Sequence, residues 1–410
     1  MNPLLLFILL FLIAAFLFDS WLDILNIKNL KEEIPETFRN TLDAQEYARS
    51  QRYLKDNTYH DILSSFTNTA FIIFFILFGG FNKADLFARS FSLSTIPTAL
   101  IFAATIALIF SLLQLPFSIY QTFSIEERYG FNRSSGWTFT IDRIKGLVLA
   151  AIIGAPILAA IIWFFDTMGS FAPLICWLAI SAVQLVLAYL APILILPLFN
   201  KYKPLEEGVL RSAIEDYAKK QGFALQGIFV MDASKRSSKS NAFFTGWGPF
   251  KRVVLFDTLI EQQSTDEIIA ILAHEVGHYK NHHITKMMAL SLANLGFKLF
   301  LLSWFINNPL LFSAFGMEHL SIYASLFFFA ILYSPVEFFL SIGLNALSRR
   351  YEYEADAFAA KTANPQDLIE ALKRIVAENL GNLNPHPLKV AVTASHPPVL
   401  KRITELQKTS

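Results

Sequence analysis

The chain has 410 residues, of which 54% are hydrophobic and only 16% charged, with a formal net charge of +1. Soluble proteins carry about 25% charged residues, so a string of soluble domains is excluded, and the near-neutral charge gives no basis for nucleic-acid binding. The single cysteine, Cys176, has no intramolecular partner, so disulfides play no part.

In chain order, apolar runs fall at 3–18, 62–81, 96–119, 146–165, 171–198, 287–306 and 322–347. Most reach the roughly 20 residues needed to cross a bilayer as a helix. The first is short, but no basic residue precedes it and no clear small-residue cleavage site follows, so it reads as a retained anchor. Of the 34 lysines and arginines, six follow the first run, four the third, twelve the fifth and nine the seventh. Only Lys83 and Arg89 lie on the opposite side, with Lys298 inside a run. Basic residues gather on the cytoplasmic side. The pattern predicts a polytopic α-helical membrane protein of seven spans, its N-terminus outside and its C-terminus cytoplasmic. The expected divisions are 1–200 for spans one to five, 201–286 for a cytoplasmic core, 287–347 for spans six and seven, and 348–410 for a cytoplasmic C-terminal part.

The long segment after the fifth span opens with an amphipathic helix over 205–221, ended by Gly222. Three strand-like runs follow at 227–232, 241–246 and 253–257, separated by a polar turn at 234–240 and a Gly-Pro loop at 247–251. The run at 241–246 suits either an ordinary edge strand or a strand that pairs with an extended substrate.

A helix over 266–280 comes next and carries His274-Glu275-Val276-Gly277-His278. Residues four apart share a helical face, so His274 and His278 can hold a zinc ion together. Glu275 lies beside them, where it can take a proton from water at the metal. A catalytic site needs a third protein ligand and one open position. The metzincin pattern is excluded, because Asn281 and Ile284 occupy the places of its Gly and His. His282 and His283 follow too closely on one helix for an ordinary tetrahedral site and read as solvated residues at the membrane edge. Beyond the seventh span, Glu352 and Asp356 share a helical face. They suit a carboxylate ligand and a carboxylate that orients a ligating histidine.

Glu337, Ser341, Asn345, Ser348, Glu352 and Asp356 recur at steps of three or four. They form one polar face of a single helix that leaves the membrane, and an ionisable residue inside a span points to a cavity or a partner. The stripe is expected to line a polar chamber opening onto the metal. Lys298 either pairs with Glu337 or snorkels to the interface.

With HEVGH, EYEAD and this layout together, the chain resembles the integral-membrane type I CaaX prenyl endopeptidases. Three further stretches match: Ile125-Glu126-Glu127-Arg128-Tyr129-Gly130-Phe131-Asn132, Ser240-Asn241-Ala242-Phe243, and Ser395-His396-Pro397-Pro398 followed by Arg402. The resemblance implies seven helices around an intramembrane chamber, with a zincin-like cytoplasmic core containing a small β-sheet. It implies one zinc ion per chain, held by His274, His278 and Glu352, with Glu275 as catalytic base and Asp356 supporting a ligand. It also implies that Asn241, Ala242 and Arg402 bind substrate and that His396 assists catalysis, the alternative for His396 being a helix cap beside Pro397. The implied activity is zinc endopeptidase cleavage of peptide or protein substrates at the bilayer, on the C-terminal tails of prenylated proteins. The shorter membrane quality-control proteases of the HtpX type share the zinc motifs but lack the EERYGFN-like loop. The end at Lys408-Thr409-Ser410 carries no dilysine-like signal. It suggests a bacterial inner membrane, where misfolded or membrane-bound polypeptides would be the natural substrates. A receptor needs no metal motif, and a transporter is expected to show repeated halves with broken helices; neither pattern is present.

Overall fold

The computed structural model describes residues 2–245 and 251–409. Among the described residues, seven helices are long and apolar enough to cross a membrane: Pro3–Lys28, Ala44–Leu77, Thr95–Glu126, Gly136–Thr167, Gly169–Phe199, His283–Phe305 and Ile322–Thr362. Each overlaps one predicted run, and most extend beyond it. Hydropathy marks only the lipid-crossing part of a helix, whereas capping decides where the helix ends. The second begins at a capping box in which Asp43 accepts from the Glu46 backbone at 2.8 Å and Glu46 accepts from the Asp43 backbone at 3.2 Å. It stops at Leu77, short of the predicted end, because Gly79 takes a left-handed conformation (φ +65°) and turns the chain into a short helix, Gly80–Arg89.

One end of the bundle gathers the N-terminus with the loops before the third, fifth and seventh spans. The Asn2 amide donates to the Leu310 carbonyl at 3.0 Å, and the Asn82 amide donates to Glu318 at 2.8 Å. Arg89 pairs with the fully buried Asp85 at 2.8 Å, and the Tyr323 hydroxyl donates to the same carboxylate. Phe81, Phe102, Phe312, Phe315 and Phe328 pack this end.

The other end carries a four-stranded sheet: β1 (Tyr202–Pro204), β2 (Gly227–Met231), β3 (Ala242–Thr245) and β4 (Arg252–Phe256), in the order β1-β2-β4-β3. β2 and β4 are parallel, with Ile228 opposite Val253, and the outer pairs are antiparallel. The three predicted strands are present, whereas β1, at three residues, is too short to leave an alternation in the sequence. Gly246 and the Gly-Pro loop up to 250 lie outside the described residues. The amphipathic helix is Val209–Lys220, and it buries Ile214 and Tyr217 against Ile228, Leu255, Ile268 and Leu272. Leu368 and Ile403, from the C-terminal helices, close the same core. This core presses the HEVGH helix against the C-terminal half of the seventh membrane helix.

Candidate metal centre

The HEVGH helix, Thr265–Lys280, starts at a second capping box, with Ser264 and Glu267 each accepting from the other's backbone N–H at 3.3 and 2.7 Å. Ile268, Leu272 and Val276 fix it in the core beneath the sheet. Along its other side it meets the seventh membrane helix at Gly277. A Cβ at this position would lie 3.0 Å from both Cα and carbonyl oxygen of Ala355. The glycine therefore lets the two helices approach closely, and Glu352, one turn before Ala355, reaches the paired histidines.

His274 Nε2 and His278 Nε2 are 3.2 Å apart, and Glu352 places its two oxygens 3.5 Å from the first and 3.3 Å from the second. A tetrahedral ion with bonds of about 2.0–2.1 Å sets its ligand atoms about 3.3 Å apart. The two histidine nitrogens have that spacing and each has a Glu352 oxygen near the same distance, so the three side chains form a possible metal site with ligand atoms within 4.8 Å of one another. Glu352 Oε2 is buried and receives no hydrogen bond; the Arg402 guanidinium at 3.3 Å offsets its charge without satisfying the atom, which leaves it a place for a metal. The donor set fits a metal.

Each remaining side chain has a definite place. Asp356 Oδ1 lies 2.8 Å from His274 Nδ1, so it orients that ring with Nε2 toward the site. Arg402 holds Asp356 by two hydrogen bonds, of 2.6 and 2.8 Å, and also approaches Glu352 Oε2 at 3.3 Å. Its guanidinium faces these two carboxylates. Burial opposes a charge on His274, but the carboxylates of Asp356 and Glu352 beside it outweigh this and push the imidazole up to about 9 in the absence of metal.

His396 Nε2 lies 3.4 Å from Glu352 Oε1, and its Nδ1 meets the Ser395 hydroxyl at 2.9 Å. The helix after it, Val399–Gln407, has no side-chain cap, so the capping alternative does not apply. Glu275 is half-buried, with no ion pair or side-chain hydrogen bond among the described residues. Asn241 and Ala242 stand at the start of β3, the edge strand, where the Asn241 side chain accepts from the Ala242 N–H at 2.8 Å. The IEERYGFN loop braces the approach to this strand. Lys239 bonds the Tyr53 hydroxyl at 2.7 Å and pairs with Glu126 at 2.8 Å, and the Phe131 carbonyl accepts from the Ser238 N–H at 3.1 Å. Lys298 pairs with Glu337 at 3.2 Å.

His283 corrects the sequence reading. The HEVGH helix ends at Lys280, His282 takes a left-handed conformation (φ 58°), and His283 begins a new helix, the sixth span. His282 is exposed, but His283 is only 2% exposed and turns back onto His278. The expectation of a solvated His283 rested on one continuous helix. Histidine is among the residues that tolerate the left-handed region, and the local sequence gives no stronger signal for the break.

Residues 23–201 match the family model described as CAAX prenyl protease N-terminal, five membrane helices, and residues 204–410 match that of peptidase family M48. The CAAX prenyl protease 1 homolog of Arabidopsis thaliana is 36% identical, with 96% of this chain and 95% of that protein aligned. CAAX prenyl protease 1 of Saccharomyces cerevisiae is 34% identical over 98% of this chain and 94% of that protein. The crystal structure of S. mikatae Ste24p superposes with a TM-score of 0.95 at 34% identity, covering 99% of both chains.

Proposed function

The chain belongs to the membrane metallopeptidases of family M48, among the CAAX prenyl proteases, and from that premise we propose that it is a zinc endopeptidase cleaving the C-terminal tails of prenylated proteins. The observation that carries this reading is the close grouping of His274 and His278, on the HEVGH helix, with Glu352, on the helix that continues from the seventh membrane span. Zinc held by these three would supply Lewis acidity at the scissile carbonyl. Glu275, with no ion pair or side-chain hydrogen bond among the described residues, takes a proton from the attacking water and passes it to the leaving amine. His396 donates a hydrogen bond to the oxygen of the tetrahedral carbon. The free edge of β3 at Asn241 and Ala242 pairs with the substrate backbone and lays it across the metal. Asp356 fixes the ring of His274, and Arg402 balances the charge of Glu352 and Asp356.

The polar face from Glu337 to Asp356 lines a chamber between the spans that holds the apolar tail of the substrate. The N-terminus lies outside and the metal centre on the cytoplasmic side, a reading supported by the distribution of basic residues. In a Cys176→Ser background, an impermeant thiol reagent applied from outside should label Lys83→Cys and spare Lys401→Cys; the reverse would overturn the orientation. The substrate reading is tested with a farnesylated CAAX peptide, its unprenylated twin and a misfolded membrane polypeptide. Preferred cleavage of the farnesylated peptide is expected. Cleavage of the misfolded polypeptide alone would replace this reading with a quality-control protease of the HtpX type.

A further inference from the structure

Two ligating histidines need two orienting partners, and only one is accounted for by the HEVGH and EYEAD motifs. Asp356 serves His274. His278 has no carboxylate on its Nδ1; it has His283, with the two Nδ1 atoms 3.1 Å apart. The far nitrogen of His283, Nε2, lies 3.1 Å from Glu354 Oε2, and Glu354 is held in turn by Arg350 at 2.8 Å. The His283 ring is 2% exposed and stacks on Tyr351 with centroids 4.1 Å apart and planes 8° from parallel.

We propose that His283 and Glu354 are positioning residues that set the tautomer and ring orientation of His278 through a hydrogen-bonded imidazole pair; the proposal rests on the zinc reading above. The assignment of protons follows from the contacts. With Nε2 of His278 turned to the metal, its Nδ1 must carry the hydrogen. His283 Nδ1 then accepts that hydrogen bond and its Nε2 carries the other proton. That N–H is donated to Glu354, which as a carboxylate can only accept. Each link has one donor and one acceptor, and no other assignment leaves His278 Nε2 free for the ion.

The site then has two parallel arms. In one, Arg402 holds Asp356 and Asp356 holds His274; in the other, Arg350 holds Glu354, Glu354 holds His283 and His283 holds His278. The second arm is one imidazole longer because His283 stands between His278 and Glu354. The left-handed turn at His282 brings the start of the sixth span into that place. Partners of this kind typically contribute 10–100-fold to metal affinity.

The test is zinc retention by the full chain in detergent, measured by competition with a chromogenic chelator. His283→Phe keeps the aromatic stack on Tyr351 and removes both nitrogens. Its zinc affinity should fall by about 10–100-fold, while the thermal midpoint of the metal-free protein stays near that of the wild type. His283→Asn places Oδ1 where Nδ1 sits and should recover most of the loss. Glu354→Leu should weaken zinc, and Glu354→Gln, which retains an acceptor, should do so less. Wild-type zinc affinity in His283→Phe would overturn the proposal, as would equal losses in the Phe and Asn variants. The readout is metal retention, so failure of the proposed substrate leaves this result interpretable, and the converse holds as well.

Discussion

Gly277 lies against Ala355 so closely that a Cβ on the glycine would sit 3.0 Å from the alanine's Cα and carbonyl oxygen and 3.1 Å from Phe358 Cβ. This contact sets the distance between the helix that carries two prospective ligands and the helix that carries the third. Two of the crowding atoms are backbone, so a methyl group cannot be accommodated by rotating a side chain. Gly277→Ala should cost about 1–3 kcal/mol by overpacking and move Glu352 away from the histidines. Zinc content after purification, measured with the thermal midpoint, reads both effects. Full metal occupancy at unchanged stability would mean that the close approach does not hold the site together.

The charge cluster beneath the site should behave as one unit. Arg402 is buried between Asp356 and Glu352, so Arg402→Met leaves two buried carboxylates without their cation and should cost about 3–5 kcal/mol. Arg402→Lys should recover only part, because an ammonium group cannot reproduce the paired bonds to Asp356. A double-mutant cycle with Asp356→Asn, followed by denaturant unfolding, should show strong coupling. Simple additivity would contradict this arrangement.

Metal binding should compete with a proton. The metal-free His274 is pushed up to about 9, above its unfolded value of about 6.5. Its proton therefore stabilises the metal-free fold fully below about pH 6.5, and that contribution fades as pH rises through about 9. A metal ion needs the neutral ring, so apparent zinc affinity should climb by about tenfold per pH unit across that window and level off above it. Calorimetry in two buffers of different ionisation enthalpy would detect the released proton. An affinity independent of pH would rule the competition out.

The intramembrane pair should matter to substrate and not to metal. Lys298 and Glu337 meet at 3.2 Å on facing spans, and ionisable groups at such depth are kept for a pathway or a cavity. Glu337→Leu should slow cleavage of a farnesylated peptide while zinc content stays at the wild-type level. Unchanged cleavage with an unchanged fold would remove this stripe from the account of the chamber.

The parts of the site that the sequence displays are those fixed by helical periodicity. His274 and His278 share a face because they are four residues apart, and Glu352 and Asp356 do so for the same reason. The steps from Glu337 to Asp356 announce one long helix, found as Ile322–Thr362. The roles that depend on long-range packing are not displayed. The bond from Arg402 to Asp356, 46 positions away in the chain, leaves no trace in the local sequence. His283 reads as a surface residue until a single left-handed residue, His282, ends one helix and starts another. β1 pairs with β2 through only three residues and carries no periodic signal of its own.

The central claim is that this centre cleaves peptide bonds with Glu275 as the proton carrier. It is tested most directly by comparing the wild type with Glu275→Gln, both analysed for zinc before being given a farnesylated CAAX peptide. The account predicts equal zinc content and a rate lower by about 10²–10⁴-fold in the variant. Cleavage at the wild-type rate by zinc-loaded Glu275→Gln would contradict it.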